Sequence, residues 1–271
     1  MIAAGRRRPQ LARTAALTMA AVLAAAVAAD FSLVLTFPAA VPSFDATQLS
    51  SLSAVLLSVP TGAIGVLLAA RRPSNPAGWL LGAFGVLYAL GGLGSDYGFH
   101  WLYGQDLSRS LVAPMMLLGA ATSQLGFPLL ATVLLVFPDG HLLSRRWRLA
   151  IWLNALLAAL ASVVALLDPN VVGDGHRQLP NPIGLAGAHS ALMAISNTVG
   201  GGGTLVLTAV GLISLGIRYR RADADTRQQA KWLGAGMVVV VAAVVVGLIT
   251  SPTSTWTTPI PIAAETIGFT A

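Results

Sequence analysis

Side chains able to hold a metal or carry a proton collect in two stretches of this 271-residue chain. Asp96, His100 and Asp106 stand among Tyr97, Trp101 and Tyr103, and Asp168, Asp174, His176 and His189 follow later. Imidazole beside carboxylate suits a proton sensor or a metal site. These spacings match no metal signature, however, and the aromatics fit an interfacial belt. Gly200-Gly201-Gly202-Gly203 would suit a phosphate cradle only with a strand before, a helix after and a Lys nearby. The four glycines lie instead in an apolar run, which points to close helix packing or a local bend. Gln124 and Asn197, in the fourth and sixth apolar runs, are candidates for interhelical hydrogen bonds. With Gly200–Gly203 they form the candidate signalling or packing set. Glu265 is the sole Glu, and His141 lies in a short turn. No nucleophile–base pair, paired-carboxylate arrangement or nucleotide signature is visible, so no catalytic, cofactor or metal residue is assigned.

Composition sets the elements that must position these groups. Hydrophobic residues make up 55% of the chain and charged residues 10%, where soluble domains carry roughly 25% charged. Mean hydropathy is +0.75. A soluble fold could not cover that apolar surface, and a disordered chain would lack it. With Cys 0, disulfides, thiolate metal sites and cysteine nucleophiles are excluded.

Seven apolar stretches reach the roughly 20 residues needed to cross a bilayer. They fall near 14–36, 48–70, 77–95, 111–136, 149–167, 189–217 and 232–250. The longest connection, about 168–188, is too short to fold unaided. The expected architecture is therefore all-α: a polytopic helical bundle with a basic N-terminal segment (1–13), a seven-span region (14–250) and a tail (251–271). Pro259–Ala271 is apolar again but short of a full span. It reads as a truncated eighth span or as a short re-entrant tail. Arg6–Arg13 followed by an apolar run and Ala26-Val27-Ala28 resembles a signal peptide, but the run resumes at Phe31, which favours an uncleaved anchor.

The basic residues sort by side. Arg6, Arg7, Arg8, Arg13, Arg71, Arg72, Arg145, Arg146, Arg148, Arg218, Arg220, Arg221, Arg227 and Lys231 occupy one set of connections. The alternate set holds only Arg109 and Arg177. Basic residues stay cytoplasmic during insertion, so this pattern predicts a cytoplasmic N-terminus in a multi-pass plasma-membrane protein. Juxtamembrane charge of this kind meets anionic lipid, and no nucleic-acid partner is needed to explain it.

Three cytoplasmic connections carry motifs. Arg71-Arg72-Pro73-Ser74-Asn75-Pro76-Ala77-Gly78-Trp79 joins spans two and three, with Asn75 placed to cap the next helix and Pro76 at its first position. Trp79 sits at interface depth. Asn181-Pro182-Ile183-Gly184-Leu185 repeats the pattern on the outer side. Phe137-Pro138-Asp139-Gly140-His141 is turn chemistry, and Arg145-Arg146-Trp147-Arg148 leads into span five. The largest connection runs from Arg218 through Arg220, Arg227, Gln228, Gln229 and Lys231 to Trp232. As bland readings, these are an interfacial hairpin and a solvated charged turn.

Taken together, RRPSNPAGWLL (71–81), VFPDGHLLSRRWR (136–148), NPIGL (181–185) and RYRRADADTRQQAKWL (218–233) resemble the N-terminal membrane region of actinobacterial sensor histidine kinases. The resemblance covers nearly the whole chain. It implies the input region of a two-component system, working as a homodimer and reaching a response regulator through a kinase domain. That domain, with its phosphoacceptor His and its ATP and Mg²⁺ sites, is not in these residues: His141 lacks the surrounding phosphoacceptor box, and there is no ATP lid. Kinase activity is therefore not expected of this chain. The alternatives are a transporter or permease subunit, and a nonfunctional truncated membrane protein.

Reporter fusions should place residues 141 and 222 in the cytoplasm. A periplasmic signal at either position would overturn the charge-based orientation.

Overall fold

The computed structural model describes residues 3–36, 44–104, 107–173, 178–221 and 227–228. It is mostly helical. Helices α1 (Ala3–Leu35), α2 (Phe44–Arg71), α3 (Pro76–Gly104), α4 (Arg109–Ser123) and α5 (Gly126–Val136) come first. A 3-10 turn, Arg145–Trp147, leads into α6 (Arg148–Leu167). Strands β1 (Asn170–Gly173) and β2 (Gln178–Pro180) precede α7 (His189–Ile195), a π-helical stretch Ser196–Gly202, and α8 (Gly203–Arg221).

Among the described residues, five helical segments are long and apolar enough to cross a membrane: Gln10–Leu35, Pro76–Gly104, Arg109–Val136, Arg145–Leu167 and His189–Arg221. They coincide with the first, third, fourth, fifth and sixth expected spans. The second is present as the 28-residue α2, whose described apolar portion, Leu57–Arg71, is shorter. The seventh, 232–250, lies outside the described residues, as does the 251–271 tail. The outward side chains are those of a lipid-facing surface. Leu149, Trp152, Leu156, Leu160 and Val163 form an exposed apolar stripe along α6. In water that stripe would cost solubility; in hydrocarbon it is the expected contact.

Three features depart from uninterrupted helices. The fourth expected span breaks between α4 and α5 at Gln124–Leu125. Pro128 is the cause, since it has no N–H to give the Gln124 carbonyl and its ring crowds that position. The sixth span is α-helical at both ends but π-helical through Ser196–Gly202, where the glycines lie. The 168–188 connection adds a small feature that the all-α expectation did not contain. It holds a two-stranded antiparallel hairpin, with Val172 opposite Leu179 and Gly173 opposite Gln178. The β-branched Val171-Val172 pair favours extended backbone, and pairing the two strands satisfies the backbone polar groups that face each other.

Helix α3 is the central element, packed on α1, α2, α4 and α5. Small residues let it approach its neighbours at backbone distance. A Cβ on Gly85 would lie 2.5 Å from the Gly62 Cα, and one on Gly65 would lie 2.6 Å from the Gly82 Cα. On the α4 side, a Cβ on Gly94 would lie 2.6 Å from the Gly119 N. Where α3 meets α5, larger groups take over. Phe84 stacks on Tyr88 at 5.3 Å, and Phe127 meets both rings edge-on. Leu57, Leu81, Phe84, Leu130, Val133, Leu134 and Leu215 form the main core.

Substituting Gly65→Val should destabilise the detergent-solubilised protein by about 1–3 kcal/mol through forced separation of α2 and α3. Gly216→Ala, with nothing within 4 Å of the new methyl, should not destabilise it. Thermal or denaturant unfolding of the two variants checks the difference.

Candidate functional site: the arginine-rich end of the bundle

The loop after Arg71 is built as an Asx-type turn. Arg72 N donates to the Leu68 carbonyl at 2.7 Å, and Asn75 N donates to the Arg72 carbonyl at 2.9 Å. Asn75 Oδ1 then accepts from Ala77 N at 2.9 Å, which caps α3, and Pro76 stands at the first helical position. Trp79 Nε1 donates to the Pro73 carbonyl at 3.0 Å and closes the turn from the side.

The Phe137–His141 turn packs directly on this cap. Asn75 Nδ2 donates to the Pro138 carbonyl at 2.9 Å. Gly140 adopts φ +79°, and a Cβ there would lie 2.7 Å from Pro76 Cδ. Backbone conformation and space therefore both require glycine at 140. Asp139 Oδ1 accepts from His141 N at 3.3 Å, folding the turn on itself.

Arg218, at the end of α8, clamps the same turn from the opposite side. Its Nη1 donates to Asp139 Oδ1 at 2.6 Å and its Nη2 to the Leu135 carbonyl at 2.9 Å, with a further hydrogen bond to the His141 carbonyl. The Arg218 side chain is 10% exposed and Asp139 is 61% exposed. The ion pair is therefore screened. The two carbonyl bonds, made by a charged donor, carry more of the interaction.

Three motifs distant in sequence thus meet at one end of the bundle. Asn75, Pro76, Pro138, Asp139 and Gly140 are in contact, while Gly78 lies on the α2 side, where a Cβ would fall 2.6 Å from the Ala69 N. Arg71, Arg72, Arg145, Arg146 and Arg220 point outward and are exposed. Arg227 and Gln228 are also exposed; Gln229 and Trp232 lie outside the described residues. Arg218 opens the 218–233 motif, but nothing in the motif set it apart from Arg220 and Arg221 as the one that turns inward. Its signal was helical phase: Gly211, Ser214 and Leu215 are the buried face of α8, and position 218 continues that face while 220 leaves it.

The Asn181 motif reproduces the turn at the other end of α6. Asn181 Oδ1 accepts from Ile183 N at 3.1 Å, as Asn75 does from Ala77 N. Asn181 Nδ2 donates to the Leu166 and Asp168 carbonyls at 2.7 and 2.8 Å. Each Asn-Pro turn therefore caps its own segment and ties down the end of another.

Between the two ends, polar side chains serve the irregular backbone. Asn154 on α6 donates to the Pro128 carbonyl and, at 2.8 Å, to Thr132 Oγ1. Ser162 donates to the Ala121 carbonyl at 3.1 Å. Gln124 and Gly200 come together, since a Cβ on Gly200 would lie 3.5 Å from Gln124 Oε1 and 3.3 Å from Ala161 Cβ. Gly203 packs on Leu157 in the same way. Asn197 is exposed.

Asp30, Asp96 and His100 form a buried cluster between α1 and α3, in which Asp30 and Asp96 interact directly. His100 Nε2 donates to the Thr36 carbonyl at 2.9 Å and ties the end of α1 to α3. No group of three or more His, Cys, Asp or Glu with the arrangement of a metal site occurs among the described residues.

Comparison with known protein families, curated proteins and solved structures gives no match.

Arg218→Ala should cost about 1.5–3 kcal/mol, because it strips a charge-assisted donor from two carbonyls. Asp139→Asn should cost at most about 1 kcal/mol, the range of an exposed ion pair. Unfolding of the two variants in detergent, at low and high salt, checks the order, and only the Asp139 contribution should weaken with salt.

Proposed function

We propose that this chain is the membrane-embedded input region of a two-component sensor histidine kinase. One observation carries the reading: the three segments behind the family resemblance that fall on the arginine-rich side converge at one end of the bundle and are joined by Asn75 and Arg218. A relay to a cytoplasmic domain needs such a junction, where several helices end in shared contacts and can change together.

In this reading the arginine-rich end faces the cytoplasm, by the same charge rule that puts the N-terminus inside. The chain makes seven plasma-membrane spans, with 232–250 as the seventh, and lies against lipid in a homodimer. ATP and Mg²⁺ would be bound by the kinase domain, which would also contact the response regulator. In this reading the 137–148 and 218–232 connections face that domain, so Arg218 sits where a change in α8 would be passed on.

A second reading, a transporter subunit, is favoured by the buried Asp30–Asp96–His100 cluster, since ionisable groups within spans often mark ion or proton paths. The two readings separate experimentally. This chain in vesicles should take no label from ATP and carry no solute or proton flux. Joined through a completed eighth span to a histidine kinase catalytic region, it should support autophosphorylation, and Arg218→Ala should shift that output by about fivefold or more. An output indifferent to Arg218 would overturn the sensor reading, and flux by the chain alone would establish the transporter.

A further inference from the structure

At the end of the bundle opposite the arginines, a half-open cavity of about 200 Å³ lies between α3, α4, α6 and α7. Its polar lining comes from Ser95, Ser123, Gln124, Asp168, Asn170 and Ser196, with His189 at the rim. Met116, Val164 and Leu192 supply an apolar wall. The volume lies below the roughly 300 Å³ at which drug-sized sites begin, so an occupant is limited to a few non-hydrogen atoms.

Among the described residues Asp168 is the only carboxylate of the lining, His189 is its one imidazole, and no Arg or Lys lines it. Asp168 Oδ1 already accepts from Asn170 N at 2.9 Å and from His189 Nδ1 at 2.8 Å. Both bonds go to the same oxygen, so Oδ2 receives none among the described residues. Asp168 is 13% exposed, and His189 orients it from the rim at 43% exposed. A carboxylate held in place by two donors, with its second oxygen receiving none, favours a cationic donor over an anion, and the hydroxyls and amides around it can accept from that donor.

We propose that this cavity binds a small organic cation, a primary amine of a few non-hydrogen atoms, with its ammonium on Asp168 and its remainder against Met116, Val164 and Leu192. The position also bears on transmission. Gln124 marks the break between α4 and α5, and Ser196 opens the π-helical stretch. An occupant therefore touches both irregular points of the bundle, including the helix that ends in Arg218. The coupling to output rests on the sensor reading above; the binding does not.

The test uses the full chain in nanodiscs with methylamine, ethanolamine and glycinamide as probes and acetate as the anionic control. At least one amine should raise the melting temperature in a saturable, concentration-dependent way, and acetate should not. Asp168→Asn keeps the acceptor for Asn170 N and should weaken amine binding by about tenfold or more. Ala120→Leu fills the cavity without changing charge and should weaken it likewise. Asp139→Asn, at the other end, should bind normally. The proposal is overturned if no amine shifts the melting point, if acetate matches the amines, or if folded Asp168→Asn and Ala120→Leu both retain wild-type affinity. Amine binding with no change in the output of the kinase-joined chain would support the site and count against the sensor reading. An output that responds to Arg218→Ala without any amine binding would overturn the site alone.

Discussion

A carbonyl oxygen released from helical pairing inside an apolar slab has no water to turn to. This chain breaks its helices repeatedly, and beside several of the breaks a side chain from another element donates to a backbone carbonyl. Ser162 serves Ala121 and Asn154 serves Pro128 across the α4–α5 interruption. Asn181 serves the end of α6, Asn75 serves Pro138, and Arg218 serves Leu135 and His141. Each donor also joins two segments that are far apart in sequence. The polar residues of this apolar chain are therefore its tertiary fasteners, and an unmet carbonyl at any of these places would cost more than a neutral hydrogen bond ordinarily contributes.

The fasteners divide the bundle unevenly. Helices α1 to α4 are held largely by close backbone approach, with glycines of α2, α3 and α4 face to face. Contacts of that kind tolerate little sliding, because any added volume meets backbone. Helix α8 packs mainly on α5 and is anchored at its end by Arg218. One part of the molecule is thus a tight frame, and another is a helix on a directed polar hold. A signalling role needs both a reference body and an element able to shift against it.

Much of the helical layout was legible in the sequence, because apolar length and flanking charge report it directly. The positions of α1, α3, α6 and the α7–α8 segment follow from their hydrophobic runs. The Asn75 and Asn181 turns were also readable, since Asn-Pro has few local options. Pro128 stood in view, yet the break it causes at Gln124 depends on Asn154 and Ser162 arriving from α6. The hairpin at 170–180 was hidden in a short polar stretch with only two β-branched residues to mark it. Arg218 was masked by its neighbours: in a run of arginines, composition does not say which one turns inward, and only helical phase does. The cavity beside Asp168 was beyond reach for a related reason. Asp168 and His189 were noted as chemistry-bearing residues, but Ser95, Ser123 and Ser196 become its lining only when four segments pack together.

The wide turn at Ser196–Gly202 sets the rotational phase of everything after it. In an unbroken α-helix each residue advances by about 100°, so Leu192 and Gly211 would be offset by roughly one such step. A turn closed by i→i+5 bonds absorbs one extra residue and removes that offset. Leu192 before it and Gly211 after it are both buried, so the inward faces on its two sides stay in phase. The glycines are in this sense a counting device: with one fewer, an unbroken α-helix would hold the same inward stripe, whereas tightening the wide turn at unchanged length would swing α8, and Arg218 with it, by about 100°.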